Sequence, residues 1–114
     1  MAVRVQEGDF DIGAELDRLT KGNRRIGGLA VFVGLVREMH VREGLHRDRI
    51  DALTLEHYPG MTDKALEDIE AEANRRWPLE TTLIVHRYGR LEAGDRLVLV
   101  AVGSPHREAA FEAC

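Results

Sequence analysis

The residues of this 114-residue sequence best suited to chemistry are arginines, with one histidine beside them. Ser104-Pro105-His106-Arg107 follows an apolar run over 96–102 and precedes Ala109-Ala110-Phe111. That order predicts a strand leading into a helix, with Ser104 as N-cap and Pro105 at the first helical position. A helix start presents unpaired backbone N–H groups and a partial positive charge, which favour an anion. His106 and Arg107 run against the usual acidic preference of a first turn unless an anion answers them. The segment therefore reads either as a phosphate or carboxylate site or as a surface turn with incidental charge. Arg37 is the second candidate, placed where the apolar run 28–36 gives way to polar chain. Strand ends commonly carry site residues because the sheet holds them rigidly; the plainer alternative is a surface arginine. Phe32, five residues earlier, reads as core by type and position.

The supply of charge sharpens this. Of 16 basic residues only Lys21 and Lys64 are lysines. Arginine stays charged and forks onto phosphate or carboxylate, whereas lysine can lose its proton and act as base or nucleophile. The chain is equipped for anions and poorly equipped for lysine chemistry. A formal net charge of −4 leaves no general footprint for nucleic acid. The five histidines and single cysteine never take HExxH, CxxC or paired zinc-finger spacing, so no metal is expected. Neither GxGxxG nor GxxxxGK[ST] occurs, and no cofactor is expected. Ser104 is the only serine, and capping explains it without a catalytic triad. His57 and His86 read as structural histidines in strands. Cys114 alone forms no internal disulfide and fits a reducing compartment. With no basic-then-apolar opening and no apolar run near the ~20 residues of a membrane span, a cytoplasmic domain is expected.

Positioning these residues requires a small mixed domain. Val3 and Val5 suggest a first strand. Asp11 can cap a helix carrying Ile12, Leu16 and Leu19 on one face, closed by Lys21-Gly22-Asn23. The run 28–36 is apolar almost throughout and predicts a strand buried on both faces. Residues 37–51 turn polar and predict a long loop between strands, of the kind that is functional or mobile. A strand over 52–58 meets the Pro59-Gly60 turn. Thr62 is the expected N-cap of the next helix, with Met61 stapled onto Leu66. Leu66, Ile69, Ala73 and Trp77 give that helix an apolar face, and Pro78 ends it. Runs over 82–88 and 96–102 predict two strands joined by an antiparallel connection at 91–95.

Several of these segments resemble one family. Phe32-Val33-Gly34-Leu35-Val36-Arg37 is similar to the FxGxVR strand end of the catalytic (large) subunit of molybdopterin synthase. Leu53-Thr54-Leu55-Glu56-His57-Tyr58-Pro59-Gly60-Met61-Thr62 resembles its LEHYPGM signature nearly residue for residue, and Ser104 to Ala113 its SxHRxxAFEA segment. Arg76-Trp77-Pro78-Leu79, His86-Arg87-Tyr88-Gly89 and Gly94-Asp95 fall in matching order, so the resemblance spans essentially the whole chain. It implies an α+β fold, a single 1–114 domain with an antiparallel sheet flanked by helices, hammerhead-like and dimeric. It implies a sulfurtransferase of molybdenum cofactor biosynthesis. In that family a homodimer of large subunits binds a small ubiquitin-like subunit at each end, making a heterotetramer. The small subunit's C-terminal Gly-Gly thiocarboxylate supplies sulfur to cyclic pyranopterin monophosphate (precursor Z), forming the dithiolene of molybdopterin. By resemblance, Leu35, Val36, Arg37, His106 and Arg107 bind substrate, Phe32 lines the pocket, and the neighbouring protomer contributes to the site.

One departure matters. The family continues past this helix into a KTxxPxWK-like stretch whose lysines stand at the reacting centre, and neither has a counterpart here. Lys21 and Lys64 sit at helix ends elsewhere, so no catalytic residue is identified. The expectation is a chain lacking the family's C-terminal segment. It is either a synthase subunit or a non-catalytic homologue that keeps dimerisation and partner or anion binding.

Overall fold

The computed structural model describes residues 2–43, 46–50, 52–56 and 58–114. In chain order the elements are β1 (Ala2–Gln6), α1 (Ile12–Thr20), β2 (Gly28–Leu35), β3 (Met39–Glu43), β4 (His46–Ile50), β5 (Ala52–Leu55), α2 (Met61–Arg76), β6 (Thr81–Arg87), β7 (Gly89–Glu92), β8 (Arg96–Ser104) and α3 (Arg107–Ala113). A four-stranded sheet in the order β1-β6-β8-β2 is joined by two small pairs, β3 with β4 and β5 with β7. The expected α+β architecture is present. Its sheet is mixed, because β1 pairs parallel with β6 while the other neighbours are antiparallel.

Alternation along the strands makes two layers. On one face Leu83, Val85, Leu99 and Ala101 join Phe10 in a core covered by Ile12, Leu16 and Leu19 of α1. Asp11 caps α1 as expected, its carboxylate accepting from the Ala14 N–H at 3.0 Å. On the other face Leu66, Ile69, Ala73 and Cys114 look onto Ile84, Val98 and Val100 across an apolar cavity of about 230 Å³. Because of that gap no residue of α2 is buried, and Ile69 is 60% exposed. No helix among the described residues is long and apolar enough to cross a membrane.

Four local expectations are corrected. The strand expected to be buried on both faces is β2, an edge strand of the sheet, so Val31, Phe32 and Leu35 are exposed. The polar stretch expected as a loop forms the β3–β4 pair over its described part, with Val41 opposite Asp48. The connection at 91–95 is partly β7, which pairs with β5. Finally, α2 begins at Met61 behind Gly60, whose φ of +84° only glycine adopts freely, and the Tyr58 carbonyl accepts from the N–H groups of Met61 and Thr62. Thr62 is therefore inside the helix, and Met61 is exposed rather than stapled. His57 lies outside the described residues.

Glu15 ties α1 to the sheet edge. It is buried, and its Oε1 accepts from Arg4 and from Arg18, the latter at 2.6 Å. Burial pushes its carboxyl upward, but the two guanidinium hydrogen bonds outweigh this and hold it below the ordinary glutamate value. A depressed carboxylate stabilises the fold above its unfolded pKa and loses that contribution as pH falls through the folded one. Glu15→Gln is expected to cost about 1–2 kcal/mol at pH 7, discounting for the half-exposed arginines. Thermal melts should show the gap to the parent protein closing as the pH falls below the ordinary glutamate value of 4.5.

Candidate functional site

Two clusters hold the residues singled out from sequence. The first is built where β8 runs into α3. Ser104 is fully buried and still paired in the sheet opposite Gly28, and its carbonyl accepts from the Gly27 N–H at 2.9 Å. Its hydroxyl donates to the Pro78 carbonyl at 2.7 Å and accepts from the His106 N–H at 3.2 Å. Ser104 is still the last residue of β8, so although its hydroxyl accepts from the His106 N–H it is not the N-cap of the helix. The helix starts two residues later than expected, with His106 in the N-cap position and Arg107 first in the helix. Glu108 follows in the same turn, so the segment is mixed in charge. His106 and Arg107 are both exposed and border an open cavity of about 540 Å³ with Gly27, Pro105 and Glu108. Arg107 also borders a groove along the start of β2, with Ala30, Ala110 and Phe111.

Gly27, just before β2, and Gly28, its first residue, make this packing possible. A Cβ on Gly27 would stand 2.3 Å from the Pro105 carbonyl oxygen, and one on Gly28 would stand 3.1 Å from the Arg107 Cα. Both distances are well inside contact range, so the 105–107 segment lies against bare backbone. Sequence reading passed over this pair, although adjacent glycines entering a strand signal close backbone approach.

Arg37 forms the second cluster, at the far end of β2. The β2–β8 register slips between Gly34 and Leu35. Pairing then continues through Val36, whose N–H donates to the Asp95 carbonyl at 2.9 Å and whose carbonyl accepts from the Gly94 N–H at 2.7 Å. Val36 is 5% exposed, whereas Leu35 and Arg37 on either side are open. Among the described residues no ion pair engages the Arg37 or Arg107 guanidinium. Nearby, the Asp9 carboxyl is held below its usual range, chiefly by the Arg96 hydrogen bond at 3.0 Å.

The structure thus does not bring the expected binding residues together within one chain. Gly28 pairs with Ser104 at one end of β2, and Leu35 pairs with Arg96 at the other. Eight strand residues separate the ends by roughly 25 Å. Phe32, read as core from its type, is 55% exposed between them on the open edge strand. Cys114 lies over the same strand, its thiol pushed up by burial. The two lysines are remote in role as well: Lys21 is the C-cap of α1, and Lys64 faces Asp68 at 3.3 Å on α2.

Comparison with known proteins places this arrangement. The family model described as MoaE protein matches residues 5–114. The molybdopterin synthase catalytic subunit of Pseudomonas aeruginosa is 50% identical over 114 residues, all of this chain and 73% of that protein. Its counterpart from Ralstonia nicotianae is 48% identical over 112 residues, 98% of this chain and 61% of that protein. The chain therefore spans less than two thirds of the Ralstonia protein. Among solved structures, the molybdopterin biosynthesis MoaE protein from Burkholderia ambifaria superposes with a TM-score of 0.83 at 48% identity, covering 100% of this chain and 71% of that one. Molybdopterin synthase from Staphylococcus aureus gives 0.81 at 34% identity, covering 96% and 75%. A family match over nearly the whole chain, beside relatives at about half identity, has one meaning: the chain belongs to the MoaE protein family.

Proposed function

We propose that this chain acts as the large subunit of a molybdopterin synthase, a cytoplasmic sulfurtransferase of molybdenum cofactor biosynthesis. It takes sulfur from the C-terminal thiocarboxylate of a small ubiquitin-like subunit and passes it to cyclic pyranopterin monophosphate. Within that reaction, Arg37, His106 and Arg107 bind the substrate's cyclic phosphate and polar edge, with Leu35, Val36 and Phe32 forming the wall beside them. The observation that carries the reading is a pair of guanidiniums, Arg37 and Arg107, with no ion pair among the described residues, each set on rigid backbone at an end of one edge strand. Arginine suits this task because its fork matches phosphate and its charge does not depend on pH.

Since roughly 25 Å of strand separates them, one substrate meets both only across two copies of the chain. The free edge of β2 supports this. Two β2 edges pairing antiparallel about an axis near Phe32 set Arg37 of one protomer beside Gly27 of the partner subunit, at the rim of the cavity that His106 and Arg107 border. The exposed Val31, Phe32 and Leu35 lie along that seam. The residues present in this sequence bind and orient; Lys21 and Lys64 stand at neither end, and no nucleophilic lysine is assigned.

Titration calorimetry with cyclic pyranopterin monophosphate tests the reading. Arg107→Ala is expected to weaken binding about 10- to 100-fold, the worth of a charge-assisted phosphate contact. Unchanged affinity would overturn the assignment.

A further inference from the structure

We propose that Asp95 is the positioning residue for Arg37, acting through the turn at 92–95. The inference rests on the substrate-binding role proposed for Arg37. Asp95 organises the turn from within: its Oδ2 accepts from the Glu92 N–H at 2.8 Å, and its own N–H donates to the Glu92 carbonyl at 2.9 Å. Gly94 completes the bend at a φ of +93°, a conformation that L side chains rarely adopt. The fully buried Leu91 anchors the turn at its start.

What the turn presents is a pair of backbone groups, the Gly94 N–H and the Asp95 carbonyl, and both close on Val36. They do so where β2 needs them. The slip between Gly34 and Leu35 breaks the regular β2–β8 ladder just before the strand ends. Without the turn, the chain would fray through residue 36. With it, both backbone polar groups of Val36 are held and its side chain is buried. Arg37, the next residue, leaves the sheet from a fixed point and in a fixed direction. Placement of a binding group to within about an ångström is worth as much as the group itself.

Asp95 could instead act through its charge, and the choice of variants separates the two. Asp95→Asn removes the charge but keeps an acceptor for the Glu92 N–H; Asp95→Ala removes both. Amide hydrogen exchange reads the clamp directly, at the Val36 and Gly94 amides, without any ligand. Calorimetry with cyclic pyranopterin monophosphate reads its consequence. Asp95→Ala is expected to speed exchange at those two amides selectively and to weaken binding about tenfold. Asp95→Asn should restore most of both. In the background of Arg37→Ala, Asp95→Ala should weaken binding no further, since a displaced arginine and a missing one are equivalent. If Asp95→Ala does not fold, Asp95→Glu, which moves the acceptor outward by one methylene, should give an intermediate loss in both readouts. Unchanged exchange at Val36, additive losses with Arg37→Ala, or no rescue by Asn would overturn the positioning role. Arg37→Ala with unaltered affinity would instead overturn the substrate-binding reading on which it rests.

Discussion

Chains carrying Arg37→Ala and chains carrying Arg107→Ala, each defective alone, are expected to regain binding when refolded together. The reasoning is geometric. Arg37 and Arg107 stand at opposite ends of β2, and β2 pairs with β8 on one edge only among the described residues. A site that uses both arginines takes one from each protomer of a two-fold dimer, and such a dimer has two sites. In a mixed dimer both lesions fall in one site, and the other is intact. Random reassortment makes half the dimers mixed, so titration of the mixture with cyclic pyranopterin monophosphate should show tight sites at about a quarter of the parent stoichiometry. Each variant alone should show none of that affinity. A mixture no better than its components would sink the shared site, because two arginines from the same chain cannot complement. The result depends on binding alone and needs no turnover.

This separation is also where sequence reading reached its limit. The positions of the two arginines were legible: Arg107 opens a helix and Arg37 follows the end of an apolar strand, as their sequence neighbours indicate. Local chemistry was legible too. Asp11 before Ile12, Leu16 and Leu19 contains everything needed to start and face α1, because a cap and a helical stripe are short-range features. Ser104 failed as a cap for the opposite reason. Its backbone stays in β8, paired with Gly28 far away in sequence, and no local pattern reports that pairing. The run 28–36 misled in a similar way. An apolar strand looks the same in sequence whether it lies mid-sheet or on an edge, and only the pairing order shows that β2 has a free side. That Arg37 and Arg107 stand at opposite ends of β2 follows from its antiparallel register with β8, a non-local fact. The family resemblance suggests that these residues share a site, but only the register shows that a single chain keeps them apart.

The same logic makes Gly27→Ala the most damaging small substitution at the site. Gly27 has an ordinary backbone conformation, so alanine brings no torsional penalty, only a methyl group. That methyl would stand 2.3 Å from the Pro105 carbonyl oxygen and 3.1 Å from its carbon. The obstacle is backbone rather than a flexible side-chain tip, so the strap 105–107 or the start of β2 must move. Neither moves freely. The Gly27 N–H is bonded to the Ser104 carbonyl, and Ser104 is pinned to the Pro78 carbonyl. Overpacking of this kind costs about 1–3 kcal/mol of stability. Its larger effect falls on His106 and Arg107, which the strap carries directly, and a shift near an ångström should weaken binding of cyclic pyranopterin monophosphate at least about tenfold. Gly8→Ala is the matching control, since a Cβ there meets nothing within 4 Å; its stability should change by no more than about 0.5 kcal/mol. Thermal melts and calorimetry on the two variants give the comparison. If Gly27→Ala binds like the parent, the strap does not depend on the bare backbone of Gly27, and the close approach at the cavity rim has no part in holding Arg107.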